Sequence, residues 1–330
     1  MKPDYKVDIF TGIRPTGTLT VANYLGAVAP VVSFQNEGKE GLVFVADLHA
    51  LTDAEPATAE KFTYDIVADY IALGLDPNKI KIFAQSAISN EVNDLMLILA
   101  RHVTVAELLR IPTLKDKLKG DAQPENANSL LLMYPVMMAA DILLQRAKHV
   151  PVGDDQMPHL EMTRLLLRRF NSKYAEVFAE PQALKIETLR ILSLKGPGKM
   201  SKSNPEGAIF LTDSAEMVAD KIKRAQTAAE GEMSDSLKSH IIVAKSLASS
   251  ESDRQQIDAI IAEHMSGKPV MGQFKQLLTK IVQEFLTDFQ TKRAQITEAD
   301  IKAILEEGNK IARENAQETI ALVKEALYAK

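Results

Sequence analysis

The sequence contains no cysteine and no tryptophan, and aromatic residues make up only 5% of it. Without thiols it can form neither disulfides nor thiolate metal sites. The six histidines are scattered and never form an H-x-x-x-H pair, so a zinc site is not expected. Positive charge is not in excess. A net charge of −5 excludes a uniformly basic nucleic-acid coat but leaves room for a local basic face. No apolar run reaches the length of a membrane span. Met1-Lys2-Pro3-Asp4-Tyr5 leads straight into a strand, so no signal peptide is expected and a soluble cytoplasmic protein is the default. Two nucleotide-binding fingerprints are also missing, G-x-G-x-x-G and G-x-x-x-x-G-K-[ST]. There is no internal repeat and no low-complexity tract. With 330 residues the chain has room for one large or two modest domains and a sizeable core.

What is present is an alternation of strand and helix patterns. Val7–Thr11 reads as a buried strand, followed by a turn at Gly12–Gly17. Val21, Tyr24, Leu25, Val28 and Val32 then recur at helical spacing between Thr20 and Gln35. Leu42–Ala46 is a continuous β-branched and apolar run, as in a parallel sheet covered on both faces. Ala57–Leu73 is a helix with Gly74 as its stop, and Ile80–Ala84 is a third strand. This order predicts a doubly wound, Rossmann-like α/β domain. Asn90–Leu109 looks helical, Lys115–Asn128 reads as an exposed polar loop, and Leu130–Leu144 is an apolar helix. Val150–Val152 is a short buried strand, and Gln156–Phe170 a helix. Beyond about Thr212 strands cease. Helices are expected from Asp213 to Arg224 and at about Ser236–Leu247, Asp253–Met265, Val270–Gln290 and Glu298–Ala329, the last opened by a capping box at Thr297–Asp300. The expected division is an α/β part over 1–211 and an all-α part over 212–330.

One stretch stands out chemically. Gly196-Pro197-Gly198-Lys199-Met200-Ser201-Lys202-Ser203 places two lysines three apart, among hydroxyls, in a run that glycine and proline make a mobile loop. Such a loop suits charge developing on a polyphosphate. Upstream, Arg14-Pro15-Thr16-Gly17 joins a strand end to a helix start, a place suited to phosphate. Either element alone also has a plain reading, as a solvated turn. Asp141 lies in an otherwise apolar helix, where a carboxylate either bonds a neighbouring donor or serves a ligand. Met138 and Phe10 fit an ordinary core.

Lys199-Met200-Ser201-Lys202-Ser203 is the KMSKS signature of class I aminoacyl-tRNA synthetases, letter for letter. Thr20-Val21-Ala22-Asn23 then occupies the HIGH slot. Tryptophanyl enzymes often carry Thr-Ile-Gly-Asn there, so Ala22 departs from a glycine, and the resemblance implies a methyl beside the adenine. Asp47-Leu48-His49-Ala50-Leu51-Thr52, Tyr134-Pro135-Val136-Met137-Met138-Ala139-Ala140-Asp141-Ile142-Leu143, Val150-Pro151-Val152-Gly153-Asp154-Asp155-Gln156 and His159-Leu160-Glu161-Met162-Thr163-Arg164 each resemble a segment of the same family, in the expected order. The chain from Phe10 to Ser203 thus resembles the bacterial-type tryptophanyl-tRNA synthetases, and the helical C-terminal part resembles them only in kind.

The resemblance implies a set of roles. Thr20, Asn23, Lys199 and Lys202 would be catalytic and face the phosphates. ATP would be held by these together with Arg14, Thr16, Gly17, Ala22, Lys117, Gly153, Asp155, Ile191, Met200, Ser201 and Ser203, with Asp155 on the ribose. Tryptophan would be held by Phe10, Gly12, His49, Tyr134, Met138, Asp141, Val150, Val152 and Gln156. Tyr134 and Gln156 would meet its α-amino group, and Gly12 and Gly153 would allow close approach. ATP would carry Mg2+ through its phosphates, with no protein metal ligand and no zinc. Partners would be L-tryptophan, tRNA(Trp) and a second copy of the chain, through helices of the 90–144 segment, with the anticodon on the C-terminal helices and no membrane. Alternatives are a tyrosyl enzyme of the same fold, a tRNA- or nucleotide-binding module without catalysis, and a simple nucleotidyltransferase. The last has no use for the long helical part.

Overall fold

The computed structural model describes residues 4–52, 54–119, 128–185 and 189–329. β1 (Val7–Ile13) runs into a helical stretch made of α1 (Val21–Asn23), a π turn (Tyr24–Val28) and α2 (Ala29–Asn36). Pro30 explains the π turn, because it has no N–H to continue an α ladder. β2 (Gly41–Val45), α3 (Asp47–Ala50), α4 (Pro56–Ala72) and β3 (Ile80–Ala84) follow, then a 3-10 turn at Gln85–Ile88. The helix expected over 90–109 is two. α5 (Ser89–Ala100) stops, and α6 (Val105–Leu108) starts afresh on a Thr104–Glu107 capping box.

The expected polar loop over 115–128 also needs correction. Its first part belongs to α7 (Pro112–Lys119), because Leu114 and Leu118, one turn apart, are both drawn into the core. The remainder, residues 120–127, lies outside the described residues. Next come α8 (Ser129–Leu144), β4 (Ala147–Val152), α9 (Met157–Lys173) and β5 (Gln182–Lys185), a short edge strand too polar to be seen in the sequence. α10 (Ala215–Lys223), α11 (Asp235–Leu247), α12 (Glu251–Met265), α13 (Met271–Gln295) and α14 (Glu298–Tyr328) complete the chain.

The sheet is parallel throughout, in the order β3-β2-β1-β4-β5. Strand periodicity divides its core. Val43, Val45, Ile80 and Ile82 face one apolar cluster with α2, α4 and the C-terminal helices, whereas Leu42, Phe44 and Phe83 face another with α5, α8 and α9. Order reverses between β1 and β4, the position at which doubly wound sheets open a crevice beyond their carboxyl ends.

α10 to α13 pack on one another, and α13 reaches α4 through Arg293, which pairs with Asp65 at 3.2 Å and Asp69 at 2.9 Å. α14 returns to the sheet and packs along the edge strand β3, α5 and α8. Small residues permit this. A Cβ on Gly308 would lie 1.8 Å from the Ile82 carbonyl oxygen, and Ala312 and Ala316 are fully buried. The helix covers an edge that would otherwise present unpaired backbone groups.

Candidate active site

A cavity of about 510 Å3 opens at the switch between β1 and β4. Its apolar floor follows from strand alternation. Phe10 stacks on Phe44 with centroids 5.0 Å apart and planes within 8°, and Phe83 closes the cluster. Gly12 serves this packing. A Cβ there would meet the Phe44 ring at 2.2 Å, so the glycine makes room for Phe44 as well as for a ligand. Met138, Val150 and Val152 complete the apolar wall, and His49, Tyr134 and Gln156 bring polar groups to it. Arg14, Lys117 and Asp155 line the same cavity, with the Lys117 ammonium 4.6 Å from the centre of the Tyr134 ring.

Asp141 is the exception among the residues expected in the amino-acid pocket. It is 2% exposed and lies behind the wall, while His49 lines the cavity. Its donors come from the protein. Gln85 Nε2 donates to both carboxylate oxygens at 2.8 and 2.9 Å, and His49 Nε2 lies 2.9 Å from Oδ2. Gln85 Oε1 also accepts the His49 backbone N–H at 3.2 Å. Burial pushes the Asp141 carboxyl above its ordinary range, against the pull of His49 and Gln85. Gln85, 0% exposed, was not singled out in the sequence. The available signal was its place directly after β3, at a strand's carboxyl end.

His159 is a second polar group to which the sequence assigns no role in the site. His159 Nε2 lies 2.6 Å from Thr113 Oγ1 and 3.2 Å from Tyr134 Oη, and those two oxygens are 3.1 Å apart. Burial, with Lys117 adding to it, brings the imidazole down to about 4, so it is neutral at pH 7. The contact ties α7, which carries Lys117, to α8 and α9. His159 sits within one of the family-like stretches, which was the signal. Thr113 lies in the segment before the expected loop and had none.

The lysine run is a hairpin. Met200 N–H donates to the Ile191 carbonyl at 2.9 Å and Ser193 N–H to Gly198 at 2.7 Å, with Gly196 and Pro197 at the tip. Ile191 and Met200 are buried, Lys199 and Ser203 are exposed, and Ser201 Oγ lies 3.0 Å from Ser203 Oγ. The chain beyond it pairs with the first turn. Thr20 and Phe210 form an antiparallel bridge, Val21 N–H donates to Ile209 at 2.9 Å, and Leu211 N–H donates to Leu19 at 2.9 Å. Lys202 Nζ donates to the Gly17 carbonyl at 2.7 Å and lies 3.3 Å from Thr16 Oγ1. Burial lowers the proton affinity of that ammonium, and the Asp69 charge opposes the shift.

Thr20 and Asn23 are engaged with each other. They form a capping box, with Asn23 N–H donating to Thr20 Oγ1 at 3.2 Å and Thr20 N–H to Asn23 Oδ1 at 3.0 Å. Thr20 is 1% exposed, so this turn presents a helix start rather than a hydroxyl. Ala22 is half-buried against the α2–α4 side of the core, and Gly153 lies in the turn into α9, its carbonyl accepting Gln156 N–H at 3.0 Å; neither lines the cavity.

The class is now defined, and comparison agrees with it. The model of the class I tRNA synthetases (W and Y) matches residues 2–287, and the chain belongs to that family. Relatives matched over nearly their full length include tryptophan–tRNA ligases. It is 36% identical to the tryptophan–tRNA ligase of Treponema pallidum over 97% of this chain and 96% of that one. It is 35% identical to the enzyme of Porphyromonas gingivalis over 96% and 97%. The crystal structure of tryptophanyl-tRNA synthetase from Mycoplasma pneumoniae superposes with a TM-score of 0.85 at 31% identity, covering 98% of this chain and 97% of that one. That from Campylobacter jejuni complexed with ADP and tryptophan gives 0.82 at 30% identity, covering 97% and 99%. Among the described residues no helix is long and apolar enough to cross a membrane.

Proposed function

We propose that this chain activates L-tryptophan with MgATP and transfers it to the 3′ end of tRNA(Trp). The carboxylate of tryptophan attacks the α-phosphorus in line, pyrophosphate leaves, and the adenylate passes its acyl group to the terminal ribose. No protein nucleophile is needed, only positioning and charge stabilisation. One observation carries the reading: the lysine hairpin is docked on the first βα turn through Lys202 and Gly17, beside a crevice with an aromatic floor and a polar wall. Lys199, Lys202, Arg14 and Lys117 meet the phosphates, with Mg2+ arriving as part of the substrate, and Asp155 meets the ribose. The indole lies on Phe10, Met138, Val150 and Val152. Its N–H is a donor with no acceptor, and we assign it to the His49–Asp141 pair. Tyr134 and Gln156 take the α-amino group.

The enzyme works in the cytoplasm as a homodimer. The apolar face of α5 and α6, with Leu97 74% and Val105 58% exposed beside half-buried Met96, Ile98 and Leu130–Met133, supports that pairing. α10 to α13 meet the anticodon. Pyrophosphate exchange with tryptophan, tyrosine and phenylalanine tests the assignment. Exchange with tryptophan alone is expected, and a preference for tyrosine or no exchange at all refutes it. Because the chain has no tryptophan of its own, the fluorescence of added tryptophan reports binding directly.

A further inference from the structure

α14 makes a series of contacts that packing alone does not require. Ala84 N–H donates to Asn309 Oδ1 at 2.9 Å, and Arg313 Nη2 donates to the Ala87 carbonyl at 3.0 Å. These two bonds fall on either side of Gln85. Gln85 itself donates to Asp141, three residues before the end of α8, and α14 holds that end as well. Thr319 Oγ1 donates to the Leu144 carbonyl at 2.9 Å. Gln145 Nε2 donates to the Ala312 carbonyl at 3.0 Å, and Asn315 Nδ2 donates to Gln145 Oε1 at 3.1 Å. Both ends of the Gln85–Asp141 contact are thus pinned from one helix, and that contact anchors His49 on the cavity wall. Gly308 sets the distance, since its backbone lies against Ile82 where no side chain would fit.

We propose that α14 is a brace for the amino-acid pocket, and that Asn309 is a positioning residue acting on tryptophan through Ala84, Gln85, Asp141 and His49. This rests on the assignment of the cavity to tryptophan. Asn309 touches no substrate. Its loss frees the outgoing end of β3, lets Gln85 shift against the buried carboxylate, and leaves the His49 ring less well fixed. The lysine hairpin and first turn make none of the α14 contacts named here, so the effect falls on tryptophan and spares ATP.

The test is pyrophosphate exchange with Asn309→Ala, Asn309→Asp, Arg313→Ala and, as a control on the same helix, Lys324→Ala, which loses only an exposed pair with Asp94. In Asn309→Ala the KM for tryptophan is expected to rise about fivefold, with kcat and the KM for ATP within about twofold of wild type. Arg313→Ala should move the same parameter in the same direction, and Lys324→Ala none. Asn309→Asp keeps an acceptor for Ala84 N–H and should restore the KM to within about twofold. If Asn309→Ala does not fold, Arg313→Ala and Thr319→Val decide the matter by the same split. An unmoved tryptophan KM, a parallel change in both substrates, or an aspartate no better than alanine overturns the brace. Absence of tryptophan-dependent exchange in the wild type is a separate result, and it refutes the substrate assignment instead.

Discussion

Replacing Gln85 with leucine removes the amide that serves both oxygens of Asp141 and the acceptor for His49 N–H. The shape is nearly kept, so the loss is mostly electrostatic. A hydrogen bond to a charged group contributes about 1.5–3 kcal/mol, and an orphaned buried N–H costs about 1–3 kcal/mol. The expected destabilisation is therefore about 3–5 kcal/mol, large on the scale of single substitutions. It should depend on pH with a definite sign. Asp141 is already held above its ordinary range by burial, and losing Gln85 raises it further. The folded state then binds a proton that the unfolded chain does not. The stability deficit grows as pH rises through the folded-state value and shrinks as pH falls below it. Urea denaturation followed by circular dichroism over a pH series running upward from the ordinary aspartate range reads this directly. Adding Asp141→Asn to Gln85→Leu should recover part of the loss at the upper end of that series, because an uncompensated buried charge is what makes the single variant unstable. Tryptophan KM in exchange should rise about tenfold. A deficit that ignores pH and is not relieved by Asp141→Asn would refute the reasoning.

Lys199→Ala and Lys202→Ala should each slow adenylate formation in single turnover far more than they weaken tryptophan binding, since their charge is wanted mainly in the transition state; unchanged activation in both variants excludes that role. Ala22→Gly should leave the KM for ATP unchanged or lower it, at a helix cost of up to about 1 kcal/mol, and a sharp rise would mean that the methyl is a fitted contact. His240 is buried with no partner for Nε2, and burial brings it down to about 4 from 6.5. Its folded value lies below its unfolded one, so the unfolded chain takes up the proton first. Stability is full above about pH 6.5 and falls as pH drops toward 4, by up to about 3 kcal/mol for this group. His240→Leu should flatten that limb of the melting profile, and an unaltered slope would place the titration elsewhere.

The sequence by itself determined the elements whose signal is local. Short continuous apolar runs specified the parallel strands, Gly74 and the Thr297–Asp300 box marked helix ends, and the KMSKS string with its companions named the class of chemistry. These depend on neighbours within a turn or two, so the order of residues carries them. It misread or missed segments whose fate depends on distant partners. α7 is helical because Leu114 and Leu118 find a core, and β5 exists because β4 offers an edge. Nor does the sequence show that α14 reaches the sheet edge, where Gly308 fits against Ile82. The site divides in the same way. Phe10, His49, Tyr134, Met138, Val150, Val152 and Gln156 are the pocket residues that the resemblance implies, and they do converge on the cavity. Only tertiary structure decided that Asp141 stands behind His49, a partner 92 residues away, and that Lys202 rests on Gly17, across 185 residues. It likewise decided that Asn309 holds the strand end beside Gln85, across 225 residues. A buried carboxylate announces in sequence that it needs donors. Which donors reach it is fixed by how the strands and helices close over it, because hydrogen bonds act over about 3 Å and carry no trace of chain separation.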